Sequence, residues 1–302
     1  MKIVFLGTGG TYPSKMRNVT SVAIQMTGEV VMFDCGEGTQ RQLMHSSVSF
    51  MKIKKILISH LHADHFLGIP GLIQSMSLNG REDPLKVFGP RGTSKNVQAM
   101  LRLGYFKSGF EVITEDLVPG TSLDFGSYAV SCVEADHSIP SLAYCLQEKP
   151  RPGKFDVKKA ERLAIPEGPL FRRLQEGRPV TVGTRRIMPS QVLGPERPGR
   201  KVVYSGDTKP SKEIVRLAKN SDVLIHDCTL DSSHKKLASD FGHSTAAEAA
   251  AVAKAARVRD LFLVHLSPRY ESHEVLEKEA KKIFKNSTVA QDLMEFAVRY
   301  RD

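Results

Sequence analysis

Three histidines and an aspartate fall within six residues, directly after an apolar stretch typical of a buried strand. The stretch reads KILIS, and the cluster that follows it reads HLHADH and holds His60, His62, Asp64 and His65. Imidazole nitrogens and carboxylate oxygens are the ligands that zinc and similar divalent metals take in proteins. The cluster therefore predicts a metal site at the end of a strand. A surface cluster without metal is the alternative, and four potential ligands in six residues disfavour it.

Three further potential ligands occur later in the chain, each at the end of a strand-like apolar stretch. They are His137, Asp207 and His265. With the cluster they make seven donors, which is more than the four that a single tetrahedral zinc requires. Two metals that share a bridging carboxylate account for all seven, and Asp207 is the candidate bridge.

Short β-branched stretches alternate with segments of helical periodicity on both sides of a basic segment. The predicted strands cover residues 2–7, 21–26, 30–35, 55–60, 85–89, 111–114, 128–135, 142–147, 202–206, 223–227, 261–266 and 288–291. The predicted helices cover residues 38–46, 66–78, 93–103, 210–220, 245–256 and 272–285, the third with Thr93 or Ser94 as its N-cap. This alternation of strands and helices predicts one α/β domain over residues 1–302. A division into two domains at residue 149 is the alternative.

Nearly all of the excess positive charge lies in one inserted segment. The chain has 43 Lys and Arg against 33 Asp and Glu, a net charge of +10. Residues 149–201 hold 14 against 5, a net charge of +9, and 8 of the 16 prolines. That proline density excludes long regular elements and predicts a flexible, partly extended arm. The charge favours a polyanionic partner such as nucleic acid.

The remaining composition excludes several classes of protein. No apolar run approaches the roughly 20 residues that span a bilayer, and the N-terminal apolar stretch is too short for a signal peptide. The four cysteines form no C-x-x-C pair, so we expect reduced thiols in a cytoplasmic protein. The GTGG sequence at residues 7–10 lacks the spacing and the lysine of a phosphate-binding loop, which predicts no nucleotide cofactor.

The seven donors, in their order along the chain, resemble the zinc site of the metallo-β-lactamase superfamily, whose fold is a four-layer αββα sandwich. Three loops resemble the tRNase Z (ribonuclease Z) family: GTGG at residues 7–10, PSKMRN at residues 13–18 and GHST at residues 242–245. Enzymes of that family remove the 3′ trailer from precursor tRNA. The resemblance to their short form runs from one end of the chain to the other.

The resemblance implies two zinc ions per subunit and a ligand set for each. One zinc would be bound by His60, His62 and His137, the other by Asp64, His65 and His265, with Asp207 bridging them. A water activated by the metals would attack phosphorus, leaving tRNA with a 3′-hydroxyl and a trailer with a 5′-phosphate. Asp64 would hold or deprotonate that water.

His243, oriented by Asp227, would by the same resemblance protonate the departing 3′ oxygen. A histidine at this point could instead cap the following helix, for which Ser244 is an N-cap candidate. The loop at residues 226–229 reads His-Asp-Cys-Thr where the family has His-Glu-Ala-Thr, so its carboxylate is one methylene shorter. Asp34 is expected in a loop that supports a histidine ligand.

The resemblance also implies where RNA binds. The arm at residues 149–201 corresponds to an exosite that grips tRNA, and the PSKMRN loop lies beside the active site. A homodimer is typical of the family. The implied substrate contacts are Lys15, Arg17, Asn18, Gly168, Pro169, Arg172 and Arg173.

Three other functions remain as alternatives. A small-molecule phosphodiesterase, or a hydrolase of thioesters or lactams on the same fold, would share the zinc ligands but would not need the basic arm. A nuclease of the β-CASP type carries a large extra domain for which this chain has no room. A non-catalytic RNA-binding protein is disfavoured because every expected ligand is present.

Overall fold

Two seven-stranded sheets lie face to face in the computed structural model, which describes residues 1–301. The first sheet contains β1 (Lys2–Gly7), β2 (Ser21–Gln25), β3 (Val30–Phe33), β4 (Ile53–Leu57), β5 (Leu85–Gly89), β6 (Val112–Asp116) and β16 (Glu295–Ala297). Its spatial order is β16-β1-β2-β3-β4-β5-β6. Strands β3 to β6 run parallel, and the other pairs are antiparallel.

The second sheet is built from the middle and the end of the chain. It contains β7 (Ser122–Asp124), β8 (Tyr128–Glu134), β9 (Leu142–Glu148), β12 (Lys201–Tyr204), β13 (Val223–Asp227), β14 (Asp260–Val264) and β15 (Ser287–Val289). Its order is β15-β14-β13-β12-β9-β8-β7, and β12 to β15 run parallel. Since parallel strands end at the same edge of a sheet, the loops after β12, β13 and β14 meet there.

Helices cover the outer face of each sheet. The first sheet carries α1 (Thr39–His45), α2 (Ala63–Phe66), α3 (Ile69–Leu78) and α4 (Thr93–Met100). Along the second half of the chain lie α7 (Lys212–Leu217), α8 (Lys235–Asp240), α9 (Ala246–Ala256) and α10 (Glu274–Ile283). Side chains of α7, α9 and α10 pack with the outer face of the second sheet. The four-layer αββα order predicted from the resemblance is confirmed, and no helix within residues 1–301 is long and apolar enough to cross a membrane.

The main core lies between the two sheets, where the inward-facing residues of both interdigitate. Phe33 of the first sheet stacks on two neighbouring tyrosines of the second, with ring centroids 6.0 Å from Tyr144 and 5.2 Å from Tyr204. All three side chains are fully buried. Burial of a large apolar side chain contributes about 1.5–3 kcal/mol, so this contact fixes the relative position of the sheets beneath the metal site.

Two helix N-termini show how the ends are set. Thr245 caps α9 with its hydroxyl oxygen, which accepts from Glu248 N, and the Glu248 carboxylate closes the capping box. The prediction of Thr93 or Ser94 as the cap of α4 is wrong. Gly92 holds that position with φ +100, because the Asp116 carboxylate at the end of β6 accepts from the backbone N–H groups of Gly92 and Ser94, both at 2.7 Å.

The basic segment at residues 149–201 contains short regular elements and an apolar cluster of its own. The elements are α5 (Val157–Arg162), α6 (Pro169–Gln175), β10 (Val180–Val182) and β11 (Arg185–Ile187). The buried side chains of the cluster are Ala160, Ile165, Leu174, Val180, Ile187 and Val192. The sequence predicted a flexible, partly extended arm. The prolines permit these elements because they stand at their edges, as Pro169 does in the first turn of α6.

Candidate metal centre

The seven predicted donors meet at one edge of the sandwich. His60, His62, His137, Asp207 and His265 lie in the segments that follow β4, β8, β12 and β14, and Asp64 and His65 lie in the short helix α2 that comes after β4. Four overlapping sets of three His or Asp donor atoms, each set within 4.8 Å, occur at this point among residues 1–301. The sets are His60–His62–His137, His60–His65–Asp207, Asp64–His65–His265 and Asp207–His243–His265.

Three imidazoles form the first half of the site. His60 Nε2 lies 3.0 Å from His62 Nδ1, and His137 Nε2 lies 3.2 Å from the same His62 atom. Ligands of a tetrahedral zinc with bonds of 2.0–2.1 Å lie roughly 3.4 Å apart. The three nitrogens therefore fit one cation with little movement.

Asp64, His65 and His265 form the second half. Asp64 Oδ2 lies 3.5 Å from His65 Nε2 and 3.4 Å from His265 Nε2. Both Nε2 atoms are buried and have no hydrogen-bond partner among the described residues. A buried ring nitrogen left unpartnered is costly unless it binds something, and a metal ion suits it.

Asp207 lies between the two halves. Its Oδ2 is 3.7 Å from His60 Nε2, 3.4 Å from His65 Nε2 and 3.1 Å from His265 Nε2. The side chain is almost fully buried. Burial alone would raise its pKa, but the three imidazoles hold the pKa of Asp207 well below its usual value. The carboxylate can therefore face both halves at once.

The far nitrogen of four of the histidines is held by a fixed partner, which aims the other nitrogen into the site. His65 Nδ1 donates to Asp34 Oδ2 at 2.7 Å, and His137 Nδ1 donates to the Gly242 carbonyl at 2.8 Å. His60 Nδ1 lies 2.9 Å from the Ser59 hydroxyl, and His265 Nδ1 lies 2.9 Å from the Thr229 hydroxyl. Such outer contacts fix the tautomer and the ring orientation of metal ligands.

Asp34 supports more than one of the seven donors. Its carboxylate accepts from His65, from the Ser59 hydroxyl at 2.7 Å, from Ser59 N at 2.6 Å and from the Tyr204 hydroxyl at 2.6 Å. Because the Ser59 hydroxyl also contacts His60, Asp34 holds His65 directly and His60 through the serine. The expectation that Asp34 lies in a supporting loop agrees with these contacts.

Two residues of the site have strained backbone conformations. Asp34 has φ +57 and His265 has φ +59, both in the left-handed region that L side chains rarely adopt. Each such residue costs on the order of 1–3 kcal/mol and persists only where its surroundings determine it. Gly10 packs against the His265 ring, and a Cβ there would lie only 2.5 Å from ring atoms. A side chain at residue 10 would therefore displace the His265 ring.

The electrostatics of the cluster favour an added positive charge. Burial lowers the pKa of His60 well below its usual value. Burial opposes charge on His65 too, yet Asp207 and Asp34 raise its pKa well above the usual value. Burial likewise opposes charge on Asp64, but the close approach of the His265 and His65 rings lowers its pKa to about 2. A cation between these carboxylates would supply the charge that they stabilise.

His243 lies at the edge of the donor cluster. Its Nδ1 donates to Asp227 Oδ2 at 2.9 Å and lies 3.9 Å from Asp207 Oδ2. Burial opposes its protonation, but the charge and hydrogen bond of Asp227 raise the pKa of His243 to about 9. The prediction of Ser244 as a helix cap is wrong, because its hydroxyl donates to the Thr208 carbonyl. The His243 imidazole is thus held beside the seven donors by a partner that favours its protonated form.

The PSKMRN loop presents only part of its predicted contacts to solvent. Lys15 is exposed, whereas Arg17 is partly buried and donates to the Ala290 carbonyl at 2.6 Å. The Asn18 side chain donates to the Glu37 carbonyl at 2.8 Å. In this structure Arg17 and Asn18 therefore hold the loop in place, and Lys15 is the side chain free to reach a ligand.

One contact of this region was missed from the sequence. The backbone N–H of Thr11 donates to Asp64 Oδ2 at 2.8 Å, from a residue with φ +70. Thr229, Ser59 and Tyr204 were also missed as supports of ligands. Serine, threonine and tyrosine are common in strand-end loops, so only their positions next to predicted ligands could have signalled a role.

A cavity of about 810 Å³ opens over the donors. Its walls include Asp64, His137, Asp207, His243 and His265. A volume of this size accepts a substrate group much larger than water. The site can therefore bring a phosphodiester or a similar group against both halves of the donor cluster.

Comparison with known proteins agrees with this geometry. The family model described as "Beta-lactamase superfamily domain" matches residues 180–266, and the model "Anti-Pycsar protein Apyc1" matches residues 1–146. The metallo-β-lactamase-fold protein YhfI from Bacillus subtilis superposes with a TM-score of 0.71 at 20% identity, covering 98% of this chain and 98% of that one. The fold and the site define a protein with the metallo-β-lactamase fold.

Closer relatives narrow the class to one family. Ribonuclease Z of Methanosarcina acetivorans is 47% identical over 302 residues, covering 100% of this chain and 99% of that protein. Ribonuclease Z of Methanothermobacter thermautotrophicus is 46% identical, with 100% and 98% covered. The short form of human tRNase Z is 28% identical, with a TM-score of 0.74 and 99% and 100% covered. The chain belongs to the ribonuclease Z family and is therefore an enzyme.

Proposed function

We propose that this enzyme is a zinc-dependent endoribonuclease that removes the 3′ trailer from precursor tRNA. The observation that carries the proposal is the convergence of seven His and Asp donors with the His243–Asp227 pair at their edge. Similarity to ribonucleases Z over the whole chain supports the substrate. A small-molecule hydrolase would share the metal donors, but nothing in its chemistry calls for the basic segment.

The donor set fits two zinc ions per subunit. Nitrogen and carboxylate ligands at these spacings suit zinc, and Asp207 faces both halves as a bridging carboxylate would. We assign His60, His62 and His137 to one ion and Asp64, His65 and His265 to the other. When bound, the ions would supply Lewis-acid activation of water and of the scissile phosphate.

Asp64 and His243 would carry the proton transfers, with Asp227 supporting His243. Asp64, held by the Thr11 N–H, would orient or deprotonate the attacking water. His243 would give its proton to the departing 3′ oxygen, and Asp227 would stabilise the imidazolium that performs this step. The products would be tRNA with a 3′-hydroxyl and a trailer with a 5′-phosphate.

The arm at residues 149–201 would grip the tRNA body. Gly168, Pro169, Arg172 and Arg173 are all exposed, which suits contact with a large ligand. Each phosphate neutralised by Lys or Arg releases counterions, so binding should weaken as salt rises. Recognition of a folded RNA by shape fits an enzyme that acts on many tRNAs. Lys15, with Arg17 and Asn18 anchoring its loop, would contact the RNA near the cut.

Two further properties complete the proposal. A homodimer is the assembly typical of the family, and sedimentation velocity on the purified protein tests it. The four cysteines are free and buried, which fits a reducing compartment, and cytoplasmic precursor tRNA would be the substrate there.

The test is cleavage of a precursor tRNA that carries a short 3′ trailer, with the cut mapped to the nucleotide. We expect a cut just after the discriminator base that is lost with a chelator and with Asp64→Ala. Asp83→Ala is the matched control, because Asp83 is an exposed carboxylate paired with Lys54 outside the site. Intact precursor together with hydrolysis of a small phosphodiester or thioester would overturn the proposal.

The role of the arm has its own test. Reversing charge with Arg172→Glu and Arg173→Glu should raise KM for precursor tRNA about 10-fold or more, with a smaller change in kcat. Arg216→Glu, an exposed arginine outside the arm, is the matched control. An unchanged KM in the arm variant would remove the arm from substrate binding.

A further inference from the structure

One wall of the cavity over the metal donors carries a large exposed aromatic side chain. Phe241 is 63% exposed and lines this cavity together with Leu237 and His243. It belongs to none of the four apolar clusters formed by the described residues, so it contributes little to the core. A single exposed apolar residue is ordinary on a surface, but this one lies two residues from the proposed general acid.

The backbone holds Phe241 rigidly relative to the reacting groups. It follows the last residue of α8, and its N–H donates to the Leu237 carbonyl at 3.2 Å. The next residue, Gly242, has φ +78, and its carbonyl accepts a hydrogen bond from His137 Nδ1. His243 N then donates to the Ala238 carbonyl at 2.8 Å. One short turn therefore positions an exposed ring, a metal-donor support and the proton donor.

We propose that Phe241 is a stacking surface for an unpaired base next to the scissile phosphodiester. This inference rests on the proposed function. Nucleotides at the junction of a tRNA 3′ end and its trailer are single-stranded, and single-stranded RNA is bound by stacking of its bases on aromatic side chains. Stacking tolerates any base, which suits an enzyme whose substrates differ in sequence at the cut.

Substitution at residue 241 gives the first test, with kcat/KM for trailer-bearing precursor tRNA as the readout. Phe241→Ala should lower kcat/KM about 5- to 150-fold, as loss of one base stack predicts. Phe241→Tyr keeps the ring and should stay within about 3-fold of the wild type. Phe241→Leu keeps apolar bulk without a ring and should show most of the loss. Tyr105→Ala, which removes an exposed aromatic outside this cavity, should leave kcat/KM unchanged.

Abasic substrates identify the base and separate stacking from a structural role. Removing the base at the discriminator position or at the first trailer position should, at one of the two, cost the wild type as much as Phe241→Ala does. The same abasic substrate should cost the alanine variant nothing further. Each variant is compared at matched zinc content, measured by atomic absorption, because Gly242 supports a ligand.

Three outcomes would overturn the inference. They are a kcat/KM of Phe241→Ala within 2-fold of the wild type, full activity of Phe241→Leu, or abasic losses that add to the alanine loss at both positions. A failure of the proposed function is distinguishable, since the wild-type enzyme would then leave every precursor intact.

Discussion

Replacing Asp34 by asparagine tests whether contacts behind the ligands set metal affinity. Asp34 is fully buried and accepts from Ser59 N, the Ser59 hydroxyl, the Tyr204 hydroxyl and His65 Nδ1. An amide of the same size removes the charge and turns one acceptor into a donor. At least one of these four donors must then face an N–H₂ group.

The expected effect has two parts. Loss of an outer carboxylate typically lowers metal affinity about 10- to 100-fold, or about 1.4–2.7 kcal/mol. The buried donor that then faces the asparagine N–H₂ group should lower the free energy of unfolding by about 1–3 kcal/mol. The loss of metal affinity in Asp34→Asn should lie at the upper end of this range, because Asp34 holds His65 directly and His60 through Ser59.

Competition with a chromophoric chelator measures zinc affinity, and urea denaturation of the metal-free protein measures stability. The matched control is Asp222→Asn. Asp222 is also a buried carboxylate, accepting from Lys201 N at 2.8 Å and Arg301 Nε at 2.7 Å, and no bond joins it to the donor cluster. The control should lose stability and keep zinc affinity. If Asp34→Asn bound two zinc ions as tightly as the wild type, the reasoning about outer contacts would be refuted.

Three further predictions follow from the same structure. Removing metal with a chelator should lower the Tm by several degrees, because the donors then face one another without a cation, and adding zinc should restore it; an unchanged Tm would contradict a bound metal. Burial, with the nearby charge of Arg17, lowers the pKa of His273 to about 4, so its unfolded state binds the proton first and stability should fall as pH drops from about 6.5 toward 4. His273→Gln should flatten that fall by about 1 kcal/mol at about pH 5, measured by denaturation, and an identical slope would exclude this histidine. The guanidinium carbons of Arg151 and Arg200, near the two ends of the arm, lie 3.5 and 4.1 Å from the centre of the Tyr300 ring. Because this ring would hold both ends of the arm in position, Tyr300→Ala should raise KM for precursor tRNA several-fold and Tyr300→Phe should not. Equal KM values would show that the ring does not position the arm.

The convergence of the seven donors could be predicted because they lie at or shortly after the ends of buried strands, and strand ends are visible in the sequence as apolar stretches that stop at a polar residue. Their partners could not. The Gly242 carbonyl that holds His137 comes from a residue about a hundred positions away, and any residue could supply a carbonyl. Thr229, which contacts His265, gives no signal of its own. Only the fold brings such pairs together.

The secondary structure, too, could be predicted from the sequence only in part. Long apolar strands and the alanine-rich α9 were predicted, since their pattern repeats over several residues. Strands β7, β10, β11 and β16 were missed, because three residues rarely carry a usable periodicity. The apolar cluster of the arm was missed for a related reason. Its side chains are spread over more than thirty positions and meet only after two short helices and a hairpin have formed.

The backbone position of Asp227 compensates for a side chain that is shorter than glutamate. The sequence left open whether an aspartate could orient His243 where the related loop has a longer glutamate. In the structure Asp227 is the last residue of β13, fully buried, and Oδ2 reaches His243 Nδ1 at 2.9 Å and Thr208 N at 3.1 Å. Oδ1 accepts from the Thr229 hydroxyl at 2.8 Å. An extra methylene in this packed position would cost about 1–3 kcal/mol and move the carboxylate past its partners. The side-chain length required at residue 227 therefore depends on where β13 ends relative to the turn that carries His243.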